Sequence, residues 1–100
     1  LGITDIHLGT PDKVATFKEY TDVYNINPEQ VLYMGDDIPD YHVMQLVGLP
    51  TCPQDASPEI KTISKYISHK NGGKGAVREV IEQVMKVQGK WHLYYNGKHD

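Results

Sequence analysis

The chain has 100 residues, 23% of them charged, and a formal net charge of −3, which suits one small domain with no second core. The lack of a basic excess argues against nucleic acid as a partner, and no apolar run approaches membrane-spanning length. A lone cysteine, Cys52, excludes an internal disulfide and, with no signal-peptide pattern at the start, predicts a cytoplasmic protein.

Leu1-Gly2-Ile3 starts in mid-pattern with no initiator methionine, so the chain is expected to be part of a longer protein. Asp5 to Gly9 reads as a short strand near a sheet edge. Thr10 and Pro11 form a helix start, Thr10 as cap and Pro11 at the first helical position. That helix is expected to run to Tyr24, with Val14, Phe17 and Tyr24 on its buried stripe, and to end at Asn25 and Asn27-Pro28. Val31–Met34 is a four-residue apolar run of the kind buried on both faces of a sheet. A helix over Pro39–Val47 turns Val43, Met44 and Val47 inward and stops at Gly48. Leu49–Cys52 is a brief strand, and Ser57 caps a helix from Pro58 to about Ser64. Lys65–Ser68 is a further strand, and Asn71 to Gly75 a flexible turn.

The last helix is the clearest. Val77, Val80, Ile81 and Val84 recur at the spacing of one apolar face, with Glu79, Glu82 and Lys86 expected to face water. Gly89 ends it. Residues 92–100 read as a polar tail whose aromatics, Tyr94 and Tyr95 with the preceding Trp91, either pack back or dock onto a neighbouring chain. Strands alternating with helices predict an α/β fold: a Rossmann-like, mostly parallel sheet with helices on both faces, spanning residues 1–91. Four short strands leave that sheet with an unfinished edge.

The chemistry concentrates after Val31–Met34. Gly35 is expected to let the chain turn sharply, and Asp36, Asp37 and Asp40 follow within five positions. Like charges so close are costly without a cation between them. Mg2+, held by one or two carboxylates plus waters and a phosphate, suits such a set, and ligands of open α/β sheets sit at the carboxyl ends of the strands. Asp-rich turns also arise simply because Asp favours turns and N-caps. Lys13 stands at another strand-to-helix junction, hence on the same sheet edge, where it would neutralise the acids and hold a phosphate oxygen. As a lone lysine it would be an ordinary solvated charge. Gly72-Gly73-Lys74-Gly75 leads into a helix and reads either as an anion site or as a plain loop. It does not complete Gly-x-Gly-x-x-Gly, because Arg78 stands where the third glycine belongs. The five histidines show no metal-ligand spacing. Cys52 has no evident base beside it and reads as a buried thiol. Asp55 either reaches a metal's water shell or caps the turn at Ser57.

Lys13 followed by a helix, then Val31 through Gly35-Asp36-Asp37-Ile38-Pro39-Asp40, resembles the third and fourth motifs of the haloacid dehalogenase superfamily of phosphatases. Val43-Met44, Val47-Gly48-Leu49, Asp55-Ala56-Ser57-Pro58-Glu59, Gly72 through Val80 and Gln88-Gly89-Lys90 narrow the resemblance to the 3-deoxy-D-manno-octulosonate 8-phosphate phosphatases, from Leu1 to Trp91. The resemblance implies a Mg2+-dependent hydrolase of a small-molecule sugar acid phosphate, in lipopolysaccharide precursor synthesis, acting through an aspartyl-phosphate. It implies Asp36 as direct metal ligand, Asp37 as support for the metal's water shell, and Asp40 as the acid that orients Lys13. Lys13 would steady the nucleophile and the transferring phosphoryl. Gly73, Lys74 and Arg78 fall to substrate binding, with Arg78 either on the sugar-acid carboxylate or in a surface ion pair. A homo-oligomer, a tetramer, is implied as well.

The family's Asp-x-Asp strand, source of its nucleophile, has no counterpart here. Asp5-Ile6-His7 imitates it with His7 in place of the second Asp, and this stretch aligns better with the edge strand before the motif lysine. The chain therefore resembles the C-terminal part of such an enzyme and is not expected to turn over substrate alone. Two other readings compete. One is a non-catalytic binding or assembly module. The other is a phospho-receiver domain, which the order of lysine and acids opposes.

Overall fold

In the computed structural model, residues 6–7, 12–87 and 91–95 are described. Five strands form one parallel sheet: β1 (Ile6–His7), β2 (Val31–Met34), β3 (Leu49–Cys52), β4 (Tyr66–Ile67) and β5 (His92–Tyr95), in the order β1-β5-β2-β3-β4. The helices are α1 (Lys13–Val23), α2 (Tyr41–Met44), α3 (Pro58–Ile63) and α4 (Ala76–Val87), with short 3-10 turns at Pro28–Gln30 and Ile38–Asp40.

Strand β2 organises both halves of the core. Its four residues are all buried, and the two-residue period of a strand sends alternate side chains to opposite faces. Val31 and Tyr33 pack with Phe17, Val43, Met44, Val47, Ile60 and Tyr94. Leu32 and Met34 pack with Leu93 and the Ala76, Val77 and Val80 stripe of α4. Helices α1 to α3 thus cover one face and α4 the other, the doubly covered arrangement that lets a central parallel strand be apolar throughout.

The structure departs from the sequence reading in several places. The helix expected over Pro39–Val47 is a 3-10 turn at Ile38–Asp40 followed by α2, which ends at Met44. The tail expected after Trp91 supplies β5, which pairs with β1 on one side and β2 on the other, so the sheet has five strands among the described residues rather than four. Leu93 and Tyr94 are buried there. Helix α1 is capped by Asp12, whose side chain accepts the Ala15 N–H at 3.0 Å; Thr10 and Pro11 lie outside the described residues, as does Gly89. Tyr24 is 62% exposed, and the inward positions near the end of α1 are Thr21 and, in part, Tyr20. Ser57 takes the N-cap position of α3, but its hydroxyl makes no capping bond. Phe17 and Tyr20 meet the Tyr94 ring edge-on, at centroid distances of 5.3 and 5.4 Å, so the last strand is packed firmly against the first helix.

Candidate active site

Because β2 and β3 run parallel, their carboxyl ends open on one edge, and the loops that follow them meet there. After Met34 the chain passes through Gly35, which donates its N–H to the Thr51 carbonyl at 3.1 Å. Gly35 is needed for space rather than for a left-handed turn. A Cβ at this position would fall 2.5 Å from the Cβ of Asp40 and 2.8 Å from the Met44 sulfur. The positive-φ glycines among the described residues are Gly73 and Gly75. Asp36 and Asp37 follow, and Asp37 turns back on the chain: its Oδ1 accepts the Ile38 N–H at 2.8 Å, and it forms a capping box with Asp40.

Asp40 is the hub. It is fully buried, and four donors meet its carboxylate. Oδ1 accepts from Lys13 Nζ at 2.9 Å and from the Tyr33 hydroxyl at 2.7 Å. Oδ2 accepts the N–H groups of Asp36 at 3.0 Å and Asp37 at 3.4 Å. Burial alone would oppose ionisation. The bonds from Lys13, Tyr33 and the Asp36 amide outweigh it and hold the carboxyl below the usual carboxylate range. Burial and the adjacent Asp40 push the Tyr33 phenol far above its ordinary value, so it stays a donor. The Tyr33 carbonyl in turn accepts the Thr51 hydroxyl at 2.9 Å. A buried ion pair survives only when its remaining polar capacity is used, and here Tyr33 and two amides use it.

Lys13 and Asp40 are therefore brought together directly, and Asp36 and Asp37 are locked beside them through their own amides. Gly73 and Lys74 stand on the loop after β4, two strands along the edge from β2, and Arg78 follows in the first turn of α4. Gly73, Lys74 and Arg78 are exposed. The loops are tied in series. Ser57 N–H donates to the Asp36 carbonyl at 3.0 Å, Gln54 N–H to the Lys70 carbonyl at 2.9 Å, and Gly72 N–H to Asp55 Oδ1 at 2.8 Å. The Asp55 carboxylate thus fastens the glycine turn, a role not read from the sequence. It also narrows the anion-site reading of that turn, because the Gly72 N–H is taken by Asp55 and the Lys74 N–H by the Asn71 carbonyl.

Among the described residues no three His, Cys, Asp or Glu side chains are grouped to hold a metal ion. Asp40 accepts four hydrogen bonds, and the two carboxylates next to it on this loop are those of Asp36 and Asp37. That is the one-or-two-carboxylate set Mg2+ takes when waters and a phosphate complete its shell, so the chemistry of the donors fits Mg2+. Sequence reasoning missed Tyr33 and Thr51. The available signal was a tyrosine in a strand buried on both faces, whose hydroxyl must find a partner inside. It also missed Glu79, expected to face water, which instead accepts from the Tyr66 hydroxyl at 2.6 Å, the Ser68 hydroxyl at 2.7 Å and the His69 N–H at 3.2 Å. Cys52 is buried, and burial pushes its thiol up, as an inert core thiol requires.

The sequence profile of the haloacid dehalogenase-like hydrolases matches residues 2–81. The chain is 40% identical over 90 residues to the 3-deoxy-D-manno-octulosonate 8-phosphate phosphatases of Salmonella typhi and Escherichia coli K12, covering 90% of this chain and 48% of each relative. It thus spans about half the length of these relatives. Among solved structures, the corresponding phosphatase of Yersinia pestis superposes with a TM-score of 0.76 at 39% identity, over 82% of this chain and 44% of that one. The Moraxella catarrhalis phosphatase, solved with magnesium ion, phosphate ion and a KDO molecule, gives 0.75 at 34% identity, over 80% of this chain and 46% of that one.

Proposed function

This chain belongs to the haloacid dehalogenase-like hydrolases, and on that premise we propose that it is the Lys13- and Asp36-bearing part of a Mg2+-dependent phosphatase acting on 3-deoxy-D-manno-octulosonate 8-phosphate. The observation that carries the reading is the Lys13–Asp40 pair at 2.9 Å, braced by Tyr33 and by the amides of Asp36 and Asp37. Phosphoryl transfer needs positioned charge more than covalent chemistry from the protein. Asp40 holds the Lys13 ammonium at the sheet edge, where it would meet a phosphoryl oxygen. Asp36 and Asp37 would hold Mg2+, with Asp36 as direct ligand. When bound, the ion supplies neutralising charge for the phosphoryl oxygens. Gly73 and Lys74, exposed on the β4–α4 loop, and Arg78, exposed in the first turn of α4, would receive the sugar-acid end of the substrate. The substrate places the reaction in lipopolysaccharide precursor synthesis, and a homo-oligomer, as a tetramer, completes the proposal. No helix among the described residues is long and apolar enough to cross a membrane.

The nucleophile is not among these residues' motifs. Neither strand flanking β2 carries an acid, β3 being Leu-Pro-Thr-Cys and β5 His-Leu-Tyr-Tyr. That composition favours a second reading for the chain by itself, a module that binds metal and sugar acid phosphate without turnover. Both readings need Mg2+ at Asp36. Titration with Mg2+ tests this: Asp36→Asn is expected to weaken Mg2+ binding at least about tenfold, and an unchanged affinity overturns the metal assignment. Phosphate release from the octulosonate 8-phosphate by these 100 residues alone would overturn the binding-only reading.

A further inference from the structure

Residues 68–75 connect β4 to α4 and carry no apolar side chain to hold them. His69, Lys70, Asn71, Gly73 and Lys74 are exposed, and Gly73 and Gly75 have φ of 75° and 90°. A segment of this kind has low local stability unless polar bonds fix it. Such bonds are present at both of its ends. Glu79, in the first turn of α4, faces back to the sheet and takes donors from Tyr66, the buried Ser68 and the His69 amide. The Ser68 oxygen also accepts the Lys70 N–H at 3.0 Å. At the far end Asp55 accepts the Gly72 N–H at 2.8 Å. Both acceptors are carboxylates, and bonds to a charged acceptor are the strong class of hydrogen bond.

We infer that Glu79 and Asp55 are positioning residues, a two-carboxylate clamp that sets the Gly72–Gly75 turn and the start of α4 against the loop carrying Asp55, and so presents Gly73, Lys74 and Arg78 to the sugar-acid end of the substrate. This inference rests on the function proposed above. Glu79 and the glycine turn follow β4, two strands along the edge from β2, so the clamp acts on sugar-acid recognition and leaves the metal position alone. A turn that is loose before binding must be ordered by the ligand, and the cost of that ordering appears as lost affinity.

The test uses Mg2+ and the free sugar acid 3-deoxy-D-manno-octulosonate as separate probes, with amide hydrogen exchange at His69 and Gly72 read in parallel. Glu79→Ala is expected to weaken sugar-acid binding about tenfold, to leave Mg2+ affinity within about twofold, and to speed exchange at His69. Glu79→Gln, which keeps one acceptor oxygen, is expected to fall between Ala and the wild type. Tyr66→Phe removes a single bond and provides a smaller loss of the same kind should Glu79→Ala not fold. Faster exchange with unchanged sugar-acid affinity overturns the inference and leaves the proposed function standing. Parallel loss of Mg2+ and sugar-acid binding in a folded Tyr66→Phe also overturns it, since the effect would then not be confined to the turn. A wild-type chain that binds neither probe defeats the proposed function itself, and the clamp's role with it.

Discussion

At Gly35 the site depends on the absence of a side chain. Asp40 reaches the amides of Asp36 and Asp37 by lying directly over Gly35, and a methyl group there would overlap both the Asp40 side chain and the Met44 sulfur. Met44 and Asp40 are buried, so neither has open space to move into. Gly35→Ala is therefore expected to destabilise the fold by about 1–3 kcal/mol, the usual cost of overpacking, and to pull Asp40 away from Lys13. Urea unfolding measures the first effect. A midpoint equal to that of the wild type would show that the loop relaxes at no cost, and would remove Gly35 from the set of site-building residues. The same packing explains why three acids can sit so near one another. Asp40 is neutralised internally by Lys13 and satisfied by Tyr33, so it adds little repulsion to Asp36 and Asp37.

At the level of elements, strand β5 is both central in the sheet and imperfectly satisfied. Its register places Tyr94 opposite Tyr33 on the same face, and Tyr33 finds a hydrogen-bond partner. The Tyr94 hydroxyl is buried with none among the described residues, and burial pushes its pKa well above the ordinary value. An unmade bond of a buried hydroxyl costs about 1–3 kcal/mol. Tyr94→Phe keeps the ring contacts with Phe17 and Tyr20 and removes that cost, so it is expected to raise the urea midpoint; a lower midpoint would mean the hydroxyl is bonded in solution. This strand is also where the sequence was hardest to read. Helix α4 announces itself because its valines repeat on one face, and β2 because its four residues are all apolar. His92–Tyr95 follows a glycine and a lysine within a polar stretch, so local pattern favoured a tail. Its place is decided by tertiary packing, by the slot between β1 and β2 and by the α1 aromatics, and none of these has a signature within a few residues. The site was legible for a related reason: Gly-Asp-Asp-x-x-Asp is a local pattern, and parallel topology fixes the edge on which Lys13 joins it. Tyr33 and Glu79 were not legible, because their partners lie 7 and 11 to 13 residues away across the fold.

Across the whole molecule, two carboxylates hold the functional edge together from opposite sides of the sheet: Asp40 beneath Lys13, and Glu79 beneath the glycine turn. Burial opposes the charge of each, and each is nonetheless held below its ordinary pKa, of 3.8 for Asp40 and 4.5 for Glu79, by the hydrogen bonds it accepts. The sign of the resulting pH dependence follows directly. In the window between folded and unfolded pKa values the unfolded chain binds more protons, so stability rises with pH there and falls as pH drops. Both contributions are complete above the unfolded values. Each begins to be lost as pH falls through the ordinary value and is gone only below the depressed folded one. Urea midpoints are thus expected to be flat from about pH 7 to about pH 5 as far as these groups are concerned, and to decline steadily below that. Protonation of surface acids adds a background slope to any variant of this chain, so Asp40→Asn and Glu79→Gln serve as references. Each is expected to be less stable than the wild type at neutral pH and to lose less on acidification. If both variants decline as steeply as the wild type, the two carboxylates are not what couples this edge to pH. Because Asp40 anchors Lys13 while Glu79 anchors the turn, the two variants also separate the halves of the edge. Asp40→Asn should free the Lys13 ammonium with the glycine turn intact, and Glu79→Gln should do the reverse, which amide exchange at Ala15 and at His69 would read independently.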